Sequence, residues 1–76
     1  MTRDDIWSAI LAERARQAGT WGYGDCSSPG VAAIVKVAVL SEETGEVARA
    51  ILDSQDPRTE LIQVAAVAVA WLESLP

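Results

Sequence analysis

Leu40–Leu75 reads LSEETGEVARAILDSQDPRTELIQVAAVAVAWLESL, and the pattern within this stretch decides the fold. Leu40, Val47 and Ile51 recur at helical spacing through to about Asp53 and mark one apolar face. Asp56-Pro57 then supplies a capping side chain followed by proline, the pair that opens a helix, and the apolar pattern resumes to near Leu75. The connection between the two segments is short, which predicts an antiparallel helical hairpin. The valines favour strands by propensity, but they lie inside long segments bounded by helix caps, so the helical reading stands.

Upstream, Ser28-Pro29 repeats the cap-plus-proline signal and predicts the start of helix two. Gly19 to Gly30 reads as loop, with four of the five glycines alongside Asp25, Ser27, Ser28 and Pro29. Trp21 and Tyr23 lie inside it, either as a lid packed on the core or as a surface that stacks a flat ligand. Before the loop, Ile6, Trp7, Ile10 and Leu11 follow helical spacing and predict a first helix from about Asp4 to Ala18. Thr2 and Asp5 are placed to form an acidic capping box, and Gly19 to terminate the helix. The expected architecture is therefore all-α: a three-helix chain, hairpin plus N-terminal helix, forming one domain without internal repeats.

The acids have a pattern of their own. Successive helical residues advance by about 100°, so Glu42, Glu43 and Glu46 fall within an arc of about 100°, shared by Arg49 and Asp53. Alone, this is a solvated acidic face. In helix three, Glu60 heads a stripe formed by Val64, Val67 and Trp71. A carboxylate on a buried stripe is costly unless a cation or hydrogen bonds compensate, although a first-turn acid also gains from the helix dipole. At about 1.5 Å per residue, Glu46 lies about 10 Å before the end of helix two, and Glu60 and Gln63 lie about 3–8 Å into helix three. An antiparallel hairpin brings them level, with Glu43 and Glu46 facing Glu60 and Gln63. Three carboxylates and an amide make an all-oxygen site suited to Mg²⁺ or Mn²⁺. Zinc would call for histidine or thiolate, and the chain has no histidine.

Composition narrows the function. Six Lys and Arg against eleven Asp and Glu give a net charge of −5, which argues against nucleic-acid polymers and anionic membranes. A phosphate-bearing ligand is compatible only through a divalent cation. Cys26 is the only cysteine, so disulfides are excluded and a reducing compartment is expected. With no neighbouring histidine it reads as an incidental loop thiol. No signal peptide is read at Met1–Asp5, and the apolar run Val64–Leu72 is too short for a bilayer, which takes roughly 20 residues. A soluble, cytoplasmic protein is expected.

The run Glu42-Glu43-Thr44-Gly45-Glu46, followed by Glu60-Leu61-Ile62-Gln63, resembles the EExxE…ExxD signature of MazG-like nucleotide pyrophosphohydrolases. Ala12-Glu13-Arg14-Ala15-Arg16-Gln17, Trp21-Gly22 and Lys36-Val37-Ala38-Val39-Leu40 extend the likeness over nearly the whole chain. The resemblance implies Mg²⁺ held by Glu43, Glu46 and Glu60, with Glu42 a ligand or the positioner and general base of a water. It implies that Lys36 approaches the phosphates or the base, and that Trp21 and Tyr23 help to enclose the nucleotide. Gln63 stands where the signature has aspartate; its amide oxygen can coordinate but adds no charge, so weaker metal binding is expected.

The reaction so implied is attack of water on the α-phosphorus of a nucleoside triphosphate, giving a nucleoside monophosphate and pyrophosphate. Longer members of that family carry further helices, so part of the site wall is expected from another subunit. Helix three points the same way. Ile62, Ala65, Ala66 and Val69 cover its remaining sides, and a helix apolar nearly all round must be buried nearly all round. A homodimer or homotetramer is therefore expected, with Ala65, Ala66, Ala68 and Ala70 permitting close approach. The competing readings are a non-catalytic helical interaction module and a nucleotide sensor that does not hydrolyse its ligand.

Overall fold

Thr2 and Asp5 open the first helix by exchanging hydrogen bonds. The Thr2 amide donates to Asp5 Oδ2 and the Asp5 amide donates to Thr2 Oγ1, each at 3.1 Å. This is the expected capping box, and it satisfies donors that a helix start otherwise leaves open. In the computed structural model, which describes residues 1–20 and 25–76, three helices follow: α1 (Arg3–Thr20), α2 (Ala33–Leu52) and α3 (Arg58–Glu73). The described residues are all-α and contain no strand. None of the helices is long and apolar enough to cross a membrane.

Two boundaries differ from expectation. Gly19 does not end α1, which continues to Thr20, whose hydroxyl donates back to the Arg16 carbonyl. Nor does Ser28-Pro29 open α2. The Val31 amide bonds instead to the Ser28 carbonyl, closing a turn with Pro29 and Gly30 at its centre. Proline followed by glycine favours such a turn over a helix start, because glycine gains little from helical geometry. The helix begins four residues later, after an extended Ala32 that has no side-chain cap.

The hairpin connection is built from backbone. Asp53 caps α2, the Ser54 amide donates to the Ile51 carbonyl, and the Gln55 amide donates to the Ala50 carbonyl. This is a Schellman closure, and it places Ser54 in the left-handed region at φ 55°. Glycine is the residue best suited there. Ser54→Gly is expected to raise stability by about 0.5–1 kcal/mol, visible as a rise in thermal midpoint of several degrees; an unchanged or lower midpoint would contradict the turn. Asp56 then opens α3, its Oδ1 accepting the Arg58 amide at 3.0 Å.

The arrangement of the helices explains the all-round apolar character of α3. It packs against both α1 and α2, while no Cα of α1 approaches within 8 Å of one in α2. The helix is a shared wall. Its deepest residues are small: Ala66, Val67 and Ala70 are buried, with Cys26 beside them and Val39 and Leu40 packed against that cluster. Among the described residues, Ile10 of α1 and Ala50 of α2 complete the buried apolar set. Among the described residues no large side chain is fully enclosed, and their core gains its closeness from alanine rather than from bulk.

Candidate functional site

Packing against α3 selects which side of α2 turns inward. The buried or half-buried positions are Lys36, Val39, Leu40, Glu43, Val47 and Ala50. Glu43 therefore lies near the middle of the inward face. The expected apolar face was centred on Leu40, Val47 and Ile51, but Ile51 is 59% exposed. At about 100° per residue, the helix is turned by about 60° from that expectation. The small Ala50 is buried in its place, at 3% exposure, where less volume has to be accommodated between packed elements. Glu42 and Glu46 remain on the surface, as do Arg49 and Asp53.

Turning Glu43 inward leaves it under-bonded. Its Oε2 is buried and has no hydrogen-bond partner among the described residues, and Glu60 Oε2 on α3 is in the same condition. Burial pushes the Glu43 carboxyl up, and the charges of Glu46, Glu42 and Glu13 add to the effect. Glu46 lies near enough to bond, but two carboxylates have no donor between them unless one is protonated. Oxygens in this state match what a hard cation would satisfy. Among the described residues, no group of three or more Asp, Glu, His or Cys side chains stands converged around a single point. Gln63 is half-buried on α3, and Trp21 and Tyr23 lie outside the described residues.

Lys36 is buried as well, at 4% exposure. Its ammonium donates to Ser74 Oγ at 2.7 Å, and that hydroxyl donates to the Trp71 carbonyl. The charge thus sits at the C-terminal end of α3, where the helix dipole and open carbonyls favour a cation. Glu43 shares its face of α2 but lies seven residues on, about 10 Å along the axis. A phosphate role would require the ammonium to leave Ser74.

A small polar cavity of about 50 Å³ opens beside Glu43, with room for a few waters. Arg16 and Gln17 of α1, Asp25 and Cys26 of the loop, and Val39, Glu43 and Val67 of the hairpin line it. Spacing in the hairpin did not reveal the contribution of α1. There Arg14 is the anchor: it bonds Asp25 Oδ2 at 2.7 Å through Nη1 and Glu73 Oε1 at 3.0 Å through Nε. Gln17 accepts from Arg14 and donates to Glu13, which in turn holds Arg16. The available signal was a polar series, Glu13, Arg14 and Gln17, continuing the face that Ile10 begins. Burial alone would raise the Asp25 carboxyl; the Ser27 hydroxyl, Arg14 and the Ser27 amide outweigh it and hold the group at about 2. The Cys26 thiol is buried, and desolvation and then the Asp25 charge push its pKa up, against a reactive role.

Comparisons of the chain with protein-family profiles, curated proteins and solved structures find no match.

Proposed function

We propose that the chain is a Mg²⁺-dependent nucleoside triphosphate pyrophosphohydrolase, converting (d)NTP to (d)NMP and pyrophosphate. The observation that carries the reading is the pair of buried oxygens, on Glu43 and Glu60, that have no donor among the described residues. They belong to the two acidic elements, one on each hairpin helix, that resemble the EExxE…ExxD signature of MazG-like enzymes. Two buried carboxylate oxygens without a donor cost free energy that a bound cation would recover.

Glu43 and Glu60 would hold the cation, joined by Glu46 and Gln63. When bound, the cation supplies positive charge to the triphosphate and makes the attacking water more acidic. Glu42, exposed on α2 beside Glu43, accepts the proton as water attacks the α-phosphorus. The bond to the α–β bridging oxygen breaks, and that oxygen leaves with pyrophosphate. Arg16, at the cavity edge, is placed to bind a phosphate oxygen if it releases Glu13.

The test is pyrophosphate release from a panel of ribo- and deoxyribonucleoside triphosphates with Mg²⁺ or Mn²⁺, repeated with EDTA. Release that EDTA abolishes is the expected result; a folded protein that releases none from any substrate overturns the hydrolase. Gln63→Asp is expected to tighten Mg²⁺ binding on the order of tenfold by adding a charged ligand, measured by calorimetric titration, and unchanged affinity would remove Gln63 from the metal set. One observation favours a second reading, a nucleotide sensor without turnover. Lys36, the residue the resemblance would send to the phosphates, is engaged by Ser74.

A further inference from the structure

Glu13 belongs to neither acidic element of the hairpin, yet it lies beside both. It shares the inward face of α1 with Ile10 and Gln17, and its side chain is 11% exposed. On one side, Glu13 and Arg16 line an open cleft of about 550 Å³ with Thr59 and Ile62. Those two residues adjoin Glu60 and Gln63 in the first turns of α3. On the other side, Arg16 and Gln17 line the polar cavity with Glu43, and the charge of Glu13 adds to the upward push on that carboxyl. Arg16 grips both Glu13 oxygens, Nε on Oε1 at 2.8 Å and Nη2 on Oε2 at 2.5 Å. Gln17 Nε2 donates to Oε2 as well, at 3.2 Å. The Arg16 side chain is 58% exposed, so the guanidinium holds this nearly buried acid from the solvent side, and holds it weakly.

We infer that Glu13 is a further ligand of the cation site and supplies the negative charge that Gln63 withholds. This role rests on the metal-binding part of the proposed function. Glu43, Glu46 and Glu60 bring three negative charges, and Gln63 brings an oxygen without one. Glu13 restores the count to four, and affinity for a hard cation rises with ligand charge. The two oxygens without a donor among the described residues, Glu43 Oε2 and Glu60 Oε2, belong to the helices whose cavity and cleft Glu13 and Arg16 border. Among the described residues no three such acids converge on one point, and the Glu13–Arg16 pair is one tie that has to open before they can. Opening it serves both partners. Glu13 passes from the guanidinium to the metal, and Arg16 passes to a phosphate oxygen of the triphosphate, so neither charge is left unpaired. Arg16 is thus withheld from anions until metal has bound.

Calorimetric titration with Mg²⁺ alone tests it, because the heat reports on the cation site whether or not the chain turns over. Glu13→Gln keeps an oxygen for Arg16 and should weaken Mg²⁺ binding about tenfold. Adding Gln63→Asp to that variant should return the affinity to the wild-type value. Glu13→Asp keeps the charge but draws it back by one methylene, so it should lose affinity too. Arg16→Gln, at a surface position, removes the competitor for Glu13 and should tighten Mg²⁺ roughly two- to fivefold, the worth of an exposed pair. Circular dichroism should show the helices retained in each. Unchanged affinity in Glu13→Gln overturns the assignment, as does a loss that Gln63→Asp fails to restore. Full affinity in Glu13→Asp overturns coordination and leaves only the field of the charge. Pyrophosphate release by the wild type with Mg²⁺ binding indifferent to Glu13 sinks this role alone. The expected Mg²⁺ pattern without any release sinks the hydrolase alone, and a wild-type chain that binds no Mg²⁺ overturns both.

Discussion

Replacing Arg14 with alanine is expected to cost about 3 kcal/mol or more, because it leaves Asp25 as a buried carboxylate without its cation. A chain of this size has about 4–11 kcal/mol in total, so the loss should move urea unfolding well toward zero denaturant. Arg14 ties α1 to the loop through Asp25 and to the end of α3 through Glu73. The two bonds are unequal. The Glu73 side chain is 54% exposed, against 6% for Asp25, so Glu73→Ala should cost no more than about 1 kcal/mol. Similar losses from both substitutions would mean that α1 is anchored at the surface instead. Asp25 also gives the fold a dependence on acid. Its carboxyl lies at about 2 when folded and at about 3.9 when unfolded. The stabilisation is complete above about pH 4 and is lost as pH falls toward 2, by about 2 kcal/mol. Arg14→Ala should lose less over that window, since Ser27 alone then holds the carboxyl down.

Glu43→Gln is expected to make the protein more stable and, on the proposed reading, inactive. At neutral pH the fold encloses a carboxyl whose pKa is pushed up by burial and then by Glu46, Glu42 and Glu13. Such a group works against folding once it is ionised. The destabilisation is absent below the unfolded value, about 4.3, and grows as pH rises through the folded value. Glutamine removes the charge and offers an amide donor to Glu46. The variant should therefore melt above wild type at pH 7 without metal, and the two curves should converge near pH 4. Metal-dependent pyrophosphate release should fall on the order of 100- to 1000-fold. Retained turnover would take Glu43 out of the site. A variant less stable than wild type at pH 7 would mean that Arg16 already neutralises Glu43 in the fold.

The difference between what the chain discloses and what only packing decides is plain in α2. Its existence and its pairing with α3 are legible from Asp56-Pro57 and the helical recurrence, because capping and periodicity are local properties. Its start is not, because Ser28-Pro29 suits a turn and a helix equally until Gly30 is weighed. Its rotation is not legible either. Ala50 and Ile51 are adjacent, and hydrophobicity alone prefers Ile51; the packed hairpin buries the small Ala50 instead. That choice moved Glu43 from the edge of a surface arc to the inward face. The Arg14–Asp25 pair was hidden for another reason: the partners are joined through a loop whose path no periodicity encodes. Among the acids, Glu60 was identified as costly from the stripe beneath it, and it is one of the two that have a buried oxygen without a donor among the described residues.

The shared wall formed by α3 governs how this protein can change over generations. A neutral substitution on α1 or α2 needs to satisfy one neighbour, and much of either helix faces outward. One on α3 must satisfy two neighbours at once, with Ala66 and Ala70 leaving no space to absorb an added methyl. Divergence among copies of this gene should therefore gather on the outer surfaces of α1 and α2. The inward alanines of α3 should drift least, whatever chemistry the acids perform.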